Sequence, residues 1–370
     1  MTIDDLRTPC LLVEESVLRR NIDELAAAIG PLGCAVRPHV KTHKCPRIAR
    51  MQLEAGAVGL TVATAWEAVV FSSVSDDIFV ARSQADPHAL RLIVRLATLG
   101  KRMIVGVDCA EGVRLLADAA AAAGLRVEVR IEVDTGQERC GVSPEGALRL
   151  ARAVAGESSL ELEGIFSHEG HIYTSEAPDP VRAVASECAG IMAEAAALLR
   201  GDGHAVPTVS VGATPTRTET PRHGGITEVR PGTYALNDYT QVLLGTASFA
   251  DCAATVLSTV VSVHEDGRVV VDAGHKALAA DGAKKSAYGV VAGTPPIVCG
   301  RASEEHGILA WPGALPVVGS RVRIVPYHVC PAVNLHRELA LVDGSSVVEI
   351  ATIAASGYGP LVGECPCDSA

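Results

Sequence analysis

The chain has 370 residues, too many for one ordinary core, and its 48% hydrophobic and 20% charged residues exclude a disordered polymer. A net charge of −11, with acids and bases interspersed, leaves no basic stripe to follow a nucleic-acid backbone. No apolar run is long enough to span a bilayer, and the opening MTIDDLRTPC has neither a basic nor an apolar leader region, so a cytoplasmic protein is expected.

Short β-branched runs recur through the first two thirds, each followed by a stretch with helical periodicity. In chain order they are CAVRPHVK ending at Lys41, VGLTVA ending at Ala63, DIFVA ending at Ala81 and RMIVGV ending at Val107. VEVRIEVD to Asp134, LEGIFSH to His168, TVSVGAT to Thr214 and EVRPGTY to Tyr234 follow. Between them, segments such as TAWEAVVFSS, AEGVRLLADAAAAAGL and PEGALRLARAVAG carry apolar residues at helical spacing. Eight such units predict a (β/α)8 barrel of the TIM type. From about Thr246 the character changes. ATVLSTVVSVH, RVVVDAG, RVRIVPYHVC and SSVVEIATIA read as strands with few helices between them, which predicts a β-rich second domain. The expected division is 1–248 for the barrel and 249–370 for the β-rich part, with the first dozen residues able to pair with the latter.

In a parallel barrel the chemistry gathers at the C-terminal strand ends. The first run closes in RPHVKTHK, which places Lys41 at the mouth as an amine able to attack an aldehyde, whereas Lys44 reads as a surface lysine. The fifth closes in EVDTGQERCG, where Asp134, Gly136 and Arg139 form a turn that can present a guanidinium to an anion. The sixth closes in SHEGHIY, offering His168, His171 as a proton carrier and Tyr173 as a contact to cofactor or substrate. The seventh and eighth, SVGATPT and RPGTY, combine small residues with hydroxyls. Gly212, Ala213, Thr214, Thr216, Gly232 and Tyr234 thus form the candidate phosphate cradle, at the place where barrels prefer to bind phosphate. A phosphate site opposite a mouth lysine points to pyridoxal 5'-phosphate.

In PYHVC, His328 and Cys330 lie two apart on an expected strand and so share a face, half of a zinc site. Glu305 and His306 in SEEHG are candidates to support that pair, and Arg82, ending the third run, can select a second carboxylate. The eleven cysteines are scattered and odd in number, so most read as apolar fillers, and the C-x-C pair Cys365 and Cys367 carries little weight.

The runs TPCLLVEESVLRRNI, RPHVKTHK, EVDTGQERCGV, SVGATPT, EVRPGTY, VDAGHKAL, SEEHG and PYHVCPAVNL, taken in order, resemble the D-serine dehydratase and D-threonine aldolase family of fold type III pyridoxal-phosphate enzymes, related to alanine racemase. The resemblance implies that Lys41 is the Schiff-base lysine and Arg139 a cofactor-side guanidinium, with the SVGATPT and RPGTY loops holding phosphate. It further implies a catalytic zinc or other divalent ion on His328 and Cys330 alone, and a homodimer. Cysteine at 330 goes with the family's dehydratases and aspartate with its aldolases. The expected activity is therefore dehydration of D-serine, D-threonine or D-threo-3-hydroxyaspartate to a 2-oxo acid and ammonia. Retro-aldol cleavage to glycine and an aldehyde is the alternative. An amino-acid racemase, which has no need of H-x-C, and a non-catalytic cofactor carrier, which has no need of the β-rich part, are the rivals from other classes. The run IAASGYG departs from the family's ending.

Overall fold

The computed structural model describes residues 1–175, 179–282, 285 and 287–359, so Cys365 and Cys367 lie outside the described residues. The chain divides into two compact units. One comprises residues 24–41, 49–232 and 358–370, the other residues 1–23, 42–48 and 233–357.

The strands in chain order begin with β1 (Cys10–Glu14). The larger unit holds the next eight, β2 (Ala35–Val36), β3 (Leu60–Val62), β4 (Asp77–Val80), β5 (Arg102–Val107), β6 (Val127–Glu132), β7 (Leu160–Phe166), β8 (Thr208–Val211) and β9 (Glu228–Val229). They form one all-parallel sheet in the order β2-β9-β8-β7-β6-β5-β4-β3. Its two ends meet beyond the short β2, where Thr61 N–H donates to Pro38 O and Val40 N–H to Thr61 O, both at 2.9 Å, so the sheet curls into the expected barrel. Helices between strands start where their sequences provide caps. Ser143 Oγ accepts the Gly146 N–H at 3.2 Å with Pro144 at the first position of Pro144–Ala155, and Asp86 does the same for Pro87–Thr98 through the Ala89 N–H.

Inside the barrel Phe79, Ile104 and Phe166 pack together, the two phenyl rings edge to face at 5.0 Å. Gly106 lies against them because a Cβ there would stand 2.9 Å from the Phe166 ring. The interior also carries charge. Arg37 Nε and Arg130 Nη1 reach the two oxygens of buried Glu228 at 2.7 and 2.5 Å, Arg130 Nε pairs with Glu163 at 2.5 Å, and Arg37 Nη1 with Asp77 at 2.5 Å. Burial works against the Glu228 anion, but the two guanidiniums outweigh it and hold its pKa at about 2.

The smaller unit is built on β1 and β10 (Ala254–Val263), β11 (Arg268–Val271), β12 (Gly289–Val291), β13 (Ile297–Ala302), β14 (Gly307–Ala310), β15 (Arg321–Pro326), β16 (Glu338–Asp343) and β17 (Ser346–Thr352). Their order is β11-β14-β13-β12-β15-β10-β1-β16-β17, with β11 also pairing with β10. The long β10 serves several neighbours because its register shifts between Val260 and Ser262, a bulge that lets a strand bend from one partner to the next. The pairing is antiparallel except between β1 and β16. Leu12, Leu257, Ala340 and Val342 pack where β1 lies between β10 and β16. Among the described residues no helix is long and apolar enough to cross a membrane.

Candidate active site

Lys41 follows the Val40–Thr61 bond that closes the barrel, so the backbone just before it is fixed by that bond, and its side chain is half-buried. Its charge bears on two imidazoles. Burial first, and then Lys41, push His39 well below the ordinary histidine value and His168 to about 3. The His168 Nδ1 meets the carbonyl of Gly212, which ties the end of β7 to the loop after β8. A ring with so low a pKa is neutral at ordinary pH and donates from that nitrogen to the carbonyl. Arg139 and Arg230 also act on His168, so Lys41, His39, His168 and both guanidiniums share one locality at the strand ends.

Several polar atoms here are buried without a hydrogen-bond partner among the described residues: His39 Nδ1, Arg230 Nε and both ring nitrogens of His171, whose Nε2 stands 3.9 Å from the Glu187 carboxylate. Arg230 is spent only on its other nitrogens, which reach Ser210 Oγ and, at 2.6 Å, the Ser167 carbonyl, and burial lowers its pKa to about 10. Gly136, at φ +115°, brings the backbone against the His171 ring, where a Cβ would stand 3.3 Å away. The turn that contains it is held by Asp134, which accepts the N–H groups of Gly136, Gln137 and Glu138 at 3.0 to 3.2 Å. Arg139, on the same turn, is exposed and 3.7 Å from Glu132, a carboxyl that burial pushes up to about 7.

The loop after β8 divides its donors. Gly212 N–H, Thr216 Oγ1 and Thr220 Oγ1 go to the buried carboxylate of Glu169. The N–H groups of Ala213 and Thr216, and that of Gly232 after the adjacent β9, have no hydrogen-bond partner among the described residues. Ala213, Thr214 and Thr216 are buried and Gly232 partly so. Three unspent N–H groups beside a lysine and unpartnered Arg230 Nε fit an anionic, aldehyde-bearing cofactor such as pyridoxal 5'-phosphate. Tyr173 is exposed, on the short helix Gly170–Thr174. Tyr234 is buried in the smaller unit, where its carbonyl accepts Asn237 Nδ2 at 3.0 Å.

The expected strand through PYHVC is corrected by the structure. β15 ends at Pro326, and His328 caps the helix Val329–Leu335, with Cys330 in its first turn. The first turn of a helix tolerates proline, so Pro331 fits the helix that Val329 opens where β-propensity alone suggested a strand. The two side chains nonetheless meet. The histidine is raised to about 10 because Cys330, Asp281 and Asp238 together outweigh its burial. The Asp281 carboxylate takes His328 Nδ1 at 2.7 Å, which leaves Nε2 for the cysteine or a cation. Thr42 Oγ1, next in sequence to Lys41, lies 3.2 Å from Cys330 Sγ. Asp238 accepts the Val329 N–H at 2.9 Å and is pushed up to about 6 by burial. Glu305 is exposed and pairs with Lys276 at 2.9 Å, and the carboxylate on His328 is Asp281 instead.

The sequence matches the alanine racemase N-terminal domain over residues 13–239 and a putative serine dehydratase domain over residues 253–342. It is 34% identical to the D-threo-3-hydroxyaspartate dehydratase of Delftia sp., over 89% of this chain and 92% of that protein. The solved D-threonine aldolase of Filomicrobium marinum superposes with a TM-score of 0.89 at 32% identity, covering 96% of this chain and 97% of that one. A cysteine-to-alanine mutant of D-threo-3-hydroxyaspartate dehydratase, solved in the metal-free form, gives 0.89 at 31% identity over 97% and 100%. This chain belongs to that family of lyases. As a member of the family it keeps the two-part organisation that both domain matches describe. Sequence reasoning missed Glu169, Arg230 and Asp281. The first two stand inside runs already singled out, SHEGHIY and EVRPGTY, whereas nothing in the sequence around Asp281 distinguishes it.

Proposed function

We propose that this chain is a pyridoxal-phosphate- and zinc-dependent lyase that dehydrates a D-3-hydroxy amino acid, of the D-serine or D-threo-3-hydroxyaspartate kind, to a 2-oxo acid and ammonia. The observation that carries the reading is a half-buried mouth lysine among unspent donors, in a chain that also brings a histidine against a cysteine. When bound, pyridoxal phosphate supplies an electron sink for charge at Cα and a divalent cation a Lewis acid for the 3-hydroxyl.

Lys41 would hold the cofactor's aldehyde, and the free N–H groups of Ala213, Thr216 and Gly232, with Gly212, Thr214 and Tyr234 beside them in sequence, would hold its phosphate. Arg139 would face the cofactor as a guanidinium and Tyr173 would contact it. His328 through Nε2 and Cys330 through Sγ would hold the cation, and thiolate softness favours zinc over magnesium or manganese. His171 moves a proton at a ring nitrogen, since neither nitrogen is committed to a hydrogen bond. His39 and His168, kept neutral, add no positive charge that would repel the lysine's own. The reading includes a homodimer, and an active monomer by light scattering would remove that part.

The experiment is product analysis after incubating the zinc-loaded protein with D-threonine, with a chelator control. Formation of 2-oxobutanoate and ammonia, abolished by the chelator, is expected. Glycine and acetaldehyde would make the enzyme an aldolase and retire the argument from Cys330, and D-threonine returned only as its epimers would make it a racemase.

A further inference from the structure

We propose that Glu169 is the positioning residue of the anion-binding loop, a sealed carboxylate that decides which donors of residues 212–220 are left to face a phosphate monoester. The inference rests on the reading of this mouth as a pyridoxal-phosphate site.

Glu169 follows His168 at the end of β7 and has no exposed surface. Its Oε2 accepts the Gly212 N–H at 3.0 Å, and its Oε1 accepts Thr216 Oγ1 at 3.2 Å and Thr220 Oγ1 at 3.0 Å. These donors come from the strand end, the following turn and the start of the short helix Thr220–His223, so one planar group spans the loop. The turn itself closes with Glu219 N–H and Thr220 N–H on the Thr216 carbonyl, both at 3.0 Å. The N–H groups of Ala213, Thr216 and Thr218 have no hydrogen-bond partner among the described residues. Thr216 shows the division within one residue, its hydroxyl spent on Glu169 and its N–H unspent.

All three contacts end on the two oxygens of one side chain, so a single group orders three loop donors from one side. A glutamine would turn an NH2 toward at least one of those donors. An alanine would release both hydroxyls to seek other acceptors, the phosphate among them, and the loop would lose the distinction between its two faces. The hydrogen bonds of Glu169 go to the loop, so its substitution is expected to act on phosphate binding more than on the aldehyde.

That selectivity supplies the test. The full chain, stripped of cofactor, is titrated with pyridoxal 5'-phosphate and with pyridoxal, which shares the aldehyde and lacks the phosphate, and the lysine-bound absorbance band is followed. The wild-type protein prefers the phosphorylated form. Glu169→Ala and Glu169→Gln are expected to lose at least ~10-fold of that preference, about the worth of one charge-assisted hydrogen bond, while pyridoxal affinity stays within about twofold. Thr220→Val, which removes one donor from the carboxylate, is expected to lose about threefold, and Thr220→Ser to restore it. Should Glu169→Ala fail to fold, Glu169→Gln and the Thr220 pair decide. An unchanged preference in the folded variants, or equal weakening of both ligands, overturns the inference. A wild-type protein that forms the band with neither ligand overturns the reading of the mouth instead.

Discussion

Glu228 and Glu169 are both closed off from solvent in the same barrel, yet their surroundings oppose each other. Glu228 sits between Arg37 and Arg130 and is held at about 2, whereas Glu169 faces one N–H, two hydroxyls and the Cys188 thiol and is raised above the ordinary value by burial. Around Glu228 the charges of Arg37, Arg130, Glu163 and Asp77 find partners inside the protein. Around Glu169 the neighbours include Arg230 Nε and the N–H groups of Ala213 and Thr216, all left without partners among the described residues. A region that only holds the fold together cancels its polar groups internally, and one that receives a ligand leaves some of them for it.

The strongest way to break that contrast is to remove the group proposed to meet the ligand. Lys41→Ala is expected to abolish the visible absorbance of the cofactor-loaded protein while leaving its melting temperature close to that of the stripped wild type. A retained band would name another lysine. Next in size is Glu228→Gln, which removes the buried anion that Arg37 and Arg130 share and leaves them Asp77 and Glu163 alone. A loss of ~3–5 kcal/mol of stability is expected, read by denaturant titration. The pH dependence follows from the same pair. Folded Glu228 has a pKa near 2 against an ordinary 4.5, so its contribution is present above 4.5 and disappears as pH falls toward 2. Glu169, raised by burial, acts with the opposite sign: its contribution is full below 4.5 and lost as pH rises through its folded value. Stability profiles of Glu228→Gln and Glu169→Gln should therefore differ from wild type in opposite directions, and matching profiles would erase the distinction between the two regions.

Much of the barrel was legible because its signal is repetitive. All eight runs that alternate with helices became strands of one parallel sheet, although β2 stops at Val36 and β9 at Val229, short of the expected ends at Lys41 and Tyr234. Legibility failed where pairing is not periodic. The carboxylate that holds the loop after β8 follows a different strand, β7, and a lone Glu169 between two histidines draws no notice as a sequence symbol. At His328 and Cys330 the residues were legible while their geometry was not. An extended reading of RVRIVPYHVC stops at Pro326, and a helix N-terminus, not a strand face, brings the two side chains together. Asp281 stands 47 positions from His328, and only tertiary folding puts it on Nδ1.

Asp281 also gives the smallest of the expected effects and carries the comparison into the other unit. It is partly exposed, unlike either barrel glutamate, and its partner is one imidazole nitrogen at 2.7 Å. On the proposed reading it fixes the orientation of the ring, so that Nε2 would offer its lone pair to a cation once the proton there is displaced. Asp281→Asn preserves the shape and can still hydrogen-bond, but without the charge. Zinc affinity measured by competition with a chromophoric chelator is expected to fall by ~10–100-fold, with the affinity for pyridoxal phosphate unchanged. His328→Ala should lose zinc far more completely, which separates a ligand from the group that orients it. Unaltered zinc affinity in Asp281→Asn would mean that Nδ1 is not held in the metal-bound protein as it is here, and that the ring turns to offer the cation its other nitrogen.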